Sequence, residues 1–162
     1  VDVTAAAVDL EQIRRFVYLE ARLADEHDYD AWEALWTDDA IYWVPAGRPH
    51  ADPAATMSVI YDNRTRISTR LQQLRTGRRH SQLPRSSLRR VVSNVEVLEA
   101  GSGDLVVAAN FVLVEHRSGA SELWAGRTTY RLRSVGGELR LSYKQVDLVN
   151  GDGDLPTVSF LI

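Results

Sequence analysis

The chain has 162 residues, 44% of them hydrophobic and 25% charged, with a formal net charge of −3. That length suits one domain spanning 1–162, able to bury about 70% of the surface of its unfolded form without a covalent staple. There is no cysteine, which excludes disulfides, thiolate zinc sites, a cysteine nucleophile and any iron–sulfur cluster held by this chain.

The opening residues, VDVTAAAVDLEQ, show no basic region followed by an apolar run, so no signal peptide is expected. The spacing predicts a helix over 9–26: Leu10, Ile13, Val17, Ala21 and Ala24 form one stripe, widened by Phe16, Leu19 and Leu23, with Asp9 as N-cap. A second, short helix is predicted at 30–36, where Asp30 and Glu33 have capping-box spacing and Trp32, Leu35 and Trp36 supply apolar surface. Asp38 and Asp39 then read as a helix-to-strand turn. A strand follows at 40–45, stopped by Pro45, and a loop at 46–55. Residues 56–62 read as another strand. From Asn63 the pattern turns helical through Ile67, Leu71 and Leu74, with Gly77 as a C-terminal stop. Residues 82–87 are predicted loop.

The second half is rich in strands. Around 88–99, Val91, Val95 and Val97 are placed on one face, and the nearly continuous apolar run at 104–116 reads as a central strand buried on both faces. Its core, LVVAANFVLV, is far too short for a membrane span, so no membrane partner is expected and the protein is placed in the cytoplasm. In 121–135, Trp124, Thr128, Tyr130 and Leu132 alternate with Arg127, Arg131 and Arg133. In 138–149, Leu139, Leu141 and Tyr143 share a face before the phase slips ahead of Val146 and Leu148, which predicts a bulge. AGSGD and VGGE read as turns. Helices first and a curled antiparallel meander after is an α+β order, with the long helix on the concave face of a cone able to enclose an apolar pocket. The apolar segment VSFLI at 158–162 calls for a docking surface, on this subunit or on a neighbour.

Charge is unevenly distributed. Residues 1–39 hold eleven acids and three arginines, a net of −8; residues 61–90 hold nine arginines and one acid, a net of +8. Such blocks pair within a fold or across a subunit contact. Eighteen of the nineteen basic residues are arginine, Lys144 being the exception. An arginine-only block on an acidic chain points to forked pairing with carboxylates and away from nucleic acid.

Candidate chemistry is sparse. His27, His50, His80 and His116 are too far apart for a local metal signature, which leaves four unrelated histidines or an iron site assembled from distant positions. Asp38 and Asp39 beside Tyr42 and Trp43 are either turn residues or a general base at the mouth of the cone. There is no G-x-S-x-G, G-x-G-x-x-G or Walker A motif. GSGD at 101–104 and GDGD at 151–154 read as turns, since neither continues as a calcium loop. Trp32, Trp36, Tyr42, Trp43, Trp124, Tyr130 and Tyr143 line a pocket or form plain core.

Three stretches, FVYLEARLADEHDYDAWEALWTDDAIYWVP (16–45), IYDNRTRISTRLQQLRTGRRHSQLPRSSLRRVVSNVEV (60–97) and YKQVDLVNGDGDLPTVSFLI (143–162), carry a resemblance. The chain resembles the small (beta) subunits of aromatic-ring-hydroxylating Rieske non-haem iron dioxygenases. The resemblance implies a cone-shaped nuclear transport factor 2-like (NTF2-like, cystatin-like) α+β fold. It implies a large (alpha) subunit carrying a Rieske 2Fe-2S cluster and a mononuclear iron, and an alpha3beta3 hexamer with a trimer of small subunits. The complex would add both atoms of O2 to an aromatic ring, with electrons from NAD(P)H. This chain would hold no cofactor, metal or catalytic residue. Arg64, Arg66, Arg70, Arg75, Arg78 and Arg79 would serve the partner interface. The alternative is a stand-alone isomerase, dehydratase or hydrolase of the same fold, working through Asp38, Asp39, Tyr42 and His80; a third reading is a ligand-binding module with an open apolar pocket.

Overall fold

Helix α1 (Leu10–Asp25) starts at Asp9, whose carboxylate accepts the N–H groups of Glu11 and Gln12. The computed structural model describes residues 9–47, 52–76, 84–151, 153 and 158–162. The C-terminus of α1 closes as a Schellman turn: Asp28 N–H bonds the Leu23 carbonyl at 3.0 Å and His27 N–H the Ala24 carbonyl at 3.3 Å. His27 takes the left-handed position, φ 57°, where glycine is usual.

Helix α2 (Tyr29–Glu33) differs from expectation at both ends. Its cap is Asp28, whose carboxylate accepts from Ala31 N–H, not Asp30. Glu33 makes no capping box because Arg64, Ser68 and Arg75 engage its carboxylate. Strand β1 (Trp36–Pro45) therefore begins early, and Asp38 and Asp39 lie within it, not in a turn. Its start is fixed by pairing of Trp36 with Leu141. Strand β2 (Ser58–Asn63) leads directly into α3 (Arg64–Arg75), capped by the Asn63 side chain, with Ile67, Leu71 and Leu74 buried. Gly77 lies outside the described residues.

Strands β3 (Ser87–Glu99), β4 (Leu105–Arg117), β5 (Ala120–Val135) and β6 (Glu138–Leu148) form the antiparallel meander. The sheet order is β2-β1-β6-β5-β4-β3, and β1 runs parallel to β6. The β4–β5 and β5–β6 turns use left-handed pairs, Ser118–Gly119 and Gly136–Gly137.

Two bulges revise the predicted faces. The ladder shifts between Ser93 and Glu96, where Asn94 sits at φ 54°. Leu88, Arg90 and Val92 point inward before it, Val95 and Val97 after it, so Val91 does not share their face and is 70% exposed. In β6 the slip falls at Ser142, earlier than the sequence pattern suggested, because Arg131 pairs Tyr143 while Leu132 pairs Leu141. Tyr143 is thereby turned outward under the Arg131 guanidinium, and Lys144 turned inward. Strand β4 is buried on both faces only near Val107, Ala108 and Ala109; it lies next to the edge strand, and Val112 and Val114 are exposed.

Among the described residues the concave face is covered by a packed cluster of aromatic and aliphatic side chains. Trp32, Trp36 and Tyr42 pack at ring-centroid distances of 5.1–5.9 Å, with α1 supplying Ile13, Phe16 and Val17. Val158, Phe160, Leu161 and Ile162 dock into the same core, Phe160 edge-on to Trp124. The apolar tail therefore finds its surface on this subunit.

Candidate functional site

The centre of the cone is polar. Glu20 sits on the buried stripe of α1, one turn from both Phe16 and Leu23–Ala24, and meets the inward Lys144 at 2.6 Å. The Trp32 indole N–H donates to the same carboxylate oxygen at 2.8 Å. Neither charged side chain is more than 2% exposed. Burial alone would raise the Glu20 pKa, but the Lys144 and Arg90 charges and the two hydrogen bonds outweigh it and hold the carboxyl below its ordinary range. Burial depresses Lys144, and Glu20 opposes that depression.

A second buried pair flanks the first. Asp25 accepts both the Nε and the backbone N–H of Arg90, at 2.7 and 2.8 Å. The same guanidinium donates to the Leu161 carbonyl at 2.7 Å. Tyr42 completes the anchorage of the tail: its hydroxyl donates to the Ile162 main-chain oxygen at 2.7 Å and accepts the Ile162 N–H at 3.1 Å. Burial drives the Tyr42 pKa far above its usual value. A phenol so held is a structural strut.

The residues considered for acid–base chemistry are not brought together. Asp38 and Asp39 are on the outside of β1, in a surface hollow of about 380 Å³ with Trp36, Thr37, Arg133, Val135 and Arg140. Hydrogen bonds from Arg133 and Thr37 hold the Asp39 carboxyl below its ordinary value, the opposite of a raised general base. Tyr42 is inside, against the tail. His80 lies outside the described residues, as do His50, Arg78 and Arg79. His116 meets Ser121 on the exposed face. His27 Nε2 donates to the Ser86 carbonyl at 2.8 Å, leaving Nδ1 to accept from the Tyr29 hydroxyl. Among the described residues no cluster of three or more His, Asp or Glu side chains could hold a metal ion.

The arginines of α3 turn largely inward on the chain. Arg64 and Arg75 hold Glu33 at 3.1 and 2.9 Å, Arg75 also reaches Asp30, and Arg70 holds Asp62 at 2.6 Å. Arg66 donates to the Tyr61 carbonyl. The opposite charge blocks thus meet within the fold, through Asp25, Asp30 and Glu33. Sequence reasoning missed the Glu20–Lys144 centre. Its signals were an acid inside an apolar helical stripe and the one lysine on a strand of apolar alternation.

A helix pair laid over a curved, mixed six-stranded sheet is the NTF2-like, cystatin-like architecture. The structure superposes on an NTF2-like protein with a cystatin-like fold from Novosphingobium aromaticivorans at a TM-score of 0.61, with 18% identity over 89% of this chain and 84% of that one. It superposes more closely, at 0.78, on the beta subunit of the benzoate 1,2-dioxygenase from Burkholderia mallei, with 26% identity over 96% of this chain and 99% of that one. Residues 19–151 match the model of the ring hydroxylating beta subunit family, and the chain belongs to that family. It is 34% identical over 143 residues to the small oxygenase component of the p-cumate 2,3-dioxygenase system of Pseudomonas putida, covering 87% of this chain and 79% of the relative. A small subunit of an oxygenase component implies an alpha partner. In these dioxygenases the iron cofactors sit in that alpha subunit, and this cysteine-free chain offers no thiolate to a Rieske cluster.

Proposed function

We propose that this chain, as a single domain over 1–162, is the structural small subunit of a cytoplasmic aromatic-ring dioxygenase, stabilising an alpha3beta3 hexamer through a trimer of small subunits. The Rieske 2Fe-2S cluster and mononuclear iron of that complex would belong to the large subunit. The observation that carries the reading is the filled cone. Where an enzyme of this fold keeps a pocket, this chain has the Glu20–Lys144 pair, three aromatic rings and its own residues 158–162.

The arginine face of α3 adds to the assembly surface in this reading. Arg64, Arg70 and Arg75 brace the subunit internally, while Arg66, with Arg78 and Arg79, is the part we assign to the contact. The test is co-expression with the cognate large subunit, followed by mass measurement of the purified complex and of the chain alone. We expect a stoichiometric complex whose iron leaves with the large subunit. Stoichiometric iron in the isolated chain, or turnover by it, overturns the proposal.

A further inference from the structure

Strand β3 begins beside the C-terminus of α1, and a hollow of about 410 Å³ opens between them, lined by Asp25, Glu26, His27, Arg85, Ser86, Ser87, Leu88 and Arg89. Both arginines are exposed. Both belong to the +8 block, yet neither has a carboxylate partner among the described residues, in contrast to Arg64, Arg70, Arg75 and Arg90.

The acids at the hollow are already committed. Asp25 is almost wholly buried and takes Arg90 through both oxygens. Glu26 pairs with Arg22 along α1. The Ser86 hydroxyl donates inward to Glu115 at 2.7 Å. Arg85 lies over the Tyr29 ring, its guanidinium carbon 5.8 Å from the centroid, which restricts it to the wall of the hollow. The floor is also fixed: His27 ties the helix end to the Ser86 carbonyl. Asp25 and Glu26, the acids of the hollow, pair with Arg90 and Arg22, so the two guanidiniums are left to receive an incoming carboxylate, which matches their fork geometry.

We propose that this hollow is an acid-accepting contact for the large subunit, in which Arg85 and Arg89 receive a carboxylate side chain of that partner. The inference rests on the functional reading above, and locates a contact additional to Arg66 of α3, whose other arginines pair within the chain.

The experiment titrates the wild-type chain and its variants against the cognate large subunit over a series of salt concentrations. R85A/R89A should bind about tenfold or more weakly and show a shallower salt dependence. R85K/R89K, which keeps both charges but loses the fork, should fall between wild type and R85A/R89A and keep the wild-type salt dependence. R14A, which removes an exposed charge elsewhere on α1, should bind like wild type. Circular dichroism and thermal unfolding verify that each variant is folded. R85A/R89A binding as tightly as wild type overturns the inference and leaves the functional reading standing. So does a variant that loses self-association alone, which would assign the hollow to a second copy of this chain. A wild-type chain that binds no large subunit overturns both.

Discussion

Replacing Glu20 by glutamine interrogates the polar centre of the cone. The amide keeps the shape of the side chain and still accepts from the Trp32 indole, but it removes the negative charge 2.6 Å from the Lys144 ammonium. Lys144 is then a cation at 2% exposure, with the Arg90 guanidinium adding positive charge nearby. It must stay charged without a counter-ion or lose its proton. Deprotonating a lysine of free pKa about 10.4 costs ~1.4 kcal/mol per pH unit below that value, or ~4.6 kcal/mol at pH 7 and ~1.9 kcal/mol at pH 9. Loss of one member of a buried pair costs about 3–5 kcal/mol by independent measure, so the two routes agree near 4 kcal/mol. The sign follows from linkage: a lysine whose folded pKa is depressed binds fewer protons in the folded state, so the variant regains stability as pH rises toward the unfolded value. Urea unfolding of the isolated chain at pH 7 and pH 9, read by tryptophan fluorescence, measures both numbers. E20Q/K144M, which keeps the indole acceptor and removes both charges, should recover about 2 kcal/mol or more. A loss below about 1 kcal/mol at pH 7, or one that does not shrink by pH 9, refutes the argument that the pair's charge balance governs this interior.

Tyr42→Phe removes both hydrogen bonds to Ile162, and should cost about 1–3 kcal/mol and speed amide hydrogen exchange at 158–162 over the rest of the chain. Gly126→Ala places a Cβ against the Asp147 carbonyl oxygen of β6 and at 3.0 Å from the Phe111 ring, so it should cost about 1–3 kcal/mol in thermal unfolding, where Gly103→Ala meets no neighbour. Partial burial works to raise Glu33, but hydrogen bonds from Ser68, Arg75 and Arg64 bring it from 4.5 down to about 2. Its stabilisation is therefore full above the unfolded value and is lost as pH falls toward 2, and Glu33→Gln should flatten the acid limb of the stability profile in that window.

Elements whose apolar spacing is unbroken were legible in the sequence. The α1 stripe from Ile13 through Ala24, the Ile67–Leu71–Leu74 face of α3 and the alternation through Trp124, Thr128, Tyr130 and Leu132 bury as their periods require, while Leu10 at the start of α1 stays exposed. Errors fall where one residue changes a strand's phase. Asn94 moves Val91 away from Val95 and Val97, and Ser142 trades Tyr143 for Lys144 on the inner face. Periodicity registers that a slip occurs somewhere, but only the partner strand fixes its position. The cap of α2 failed for a related reason. Asp28 and Asp30 are both plausible caps by local chemistry, and the choice turns on Arg64 and Arg75, which arrive from a helix more than thirty residues on. The filling of the cone was invisible in the same way, since Glu20, Tyr42, Arg90, Lys144 and Ile162 converge from separate elements.

The parallel pairing of β1 with β6 also sets an order on the ribosome. When β1 has emerged, its only available neighbour is β2, and a two-stranded ribbon is marginal in water. The first sheet that can persist is the β3–β6 meander, made later, so the early segments must wait as nascent chain until the last strand arrives to receive them. A stall or premature stop before Leu148 would leave Trp36 and Tyr42 without the strand and tail that cover them, making unfinished chains natural clients for chaperones.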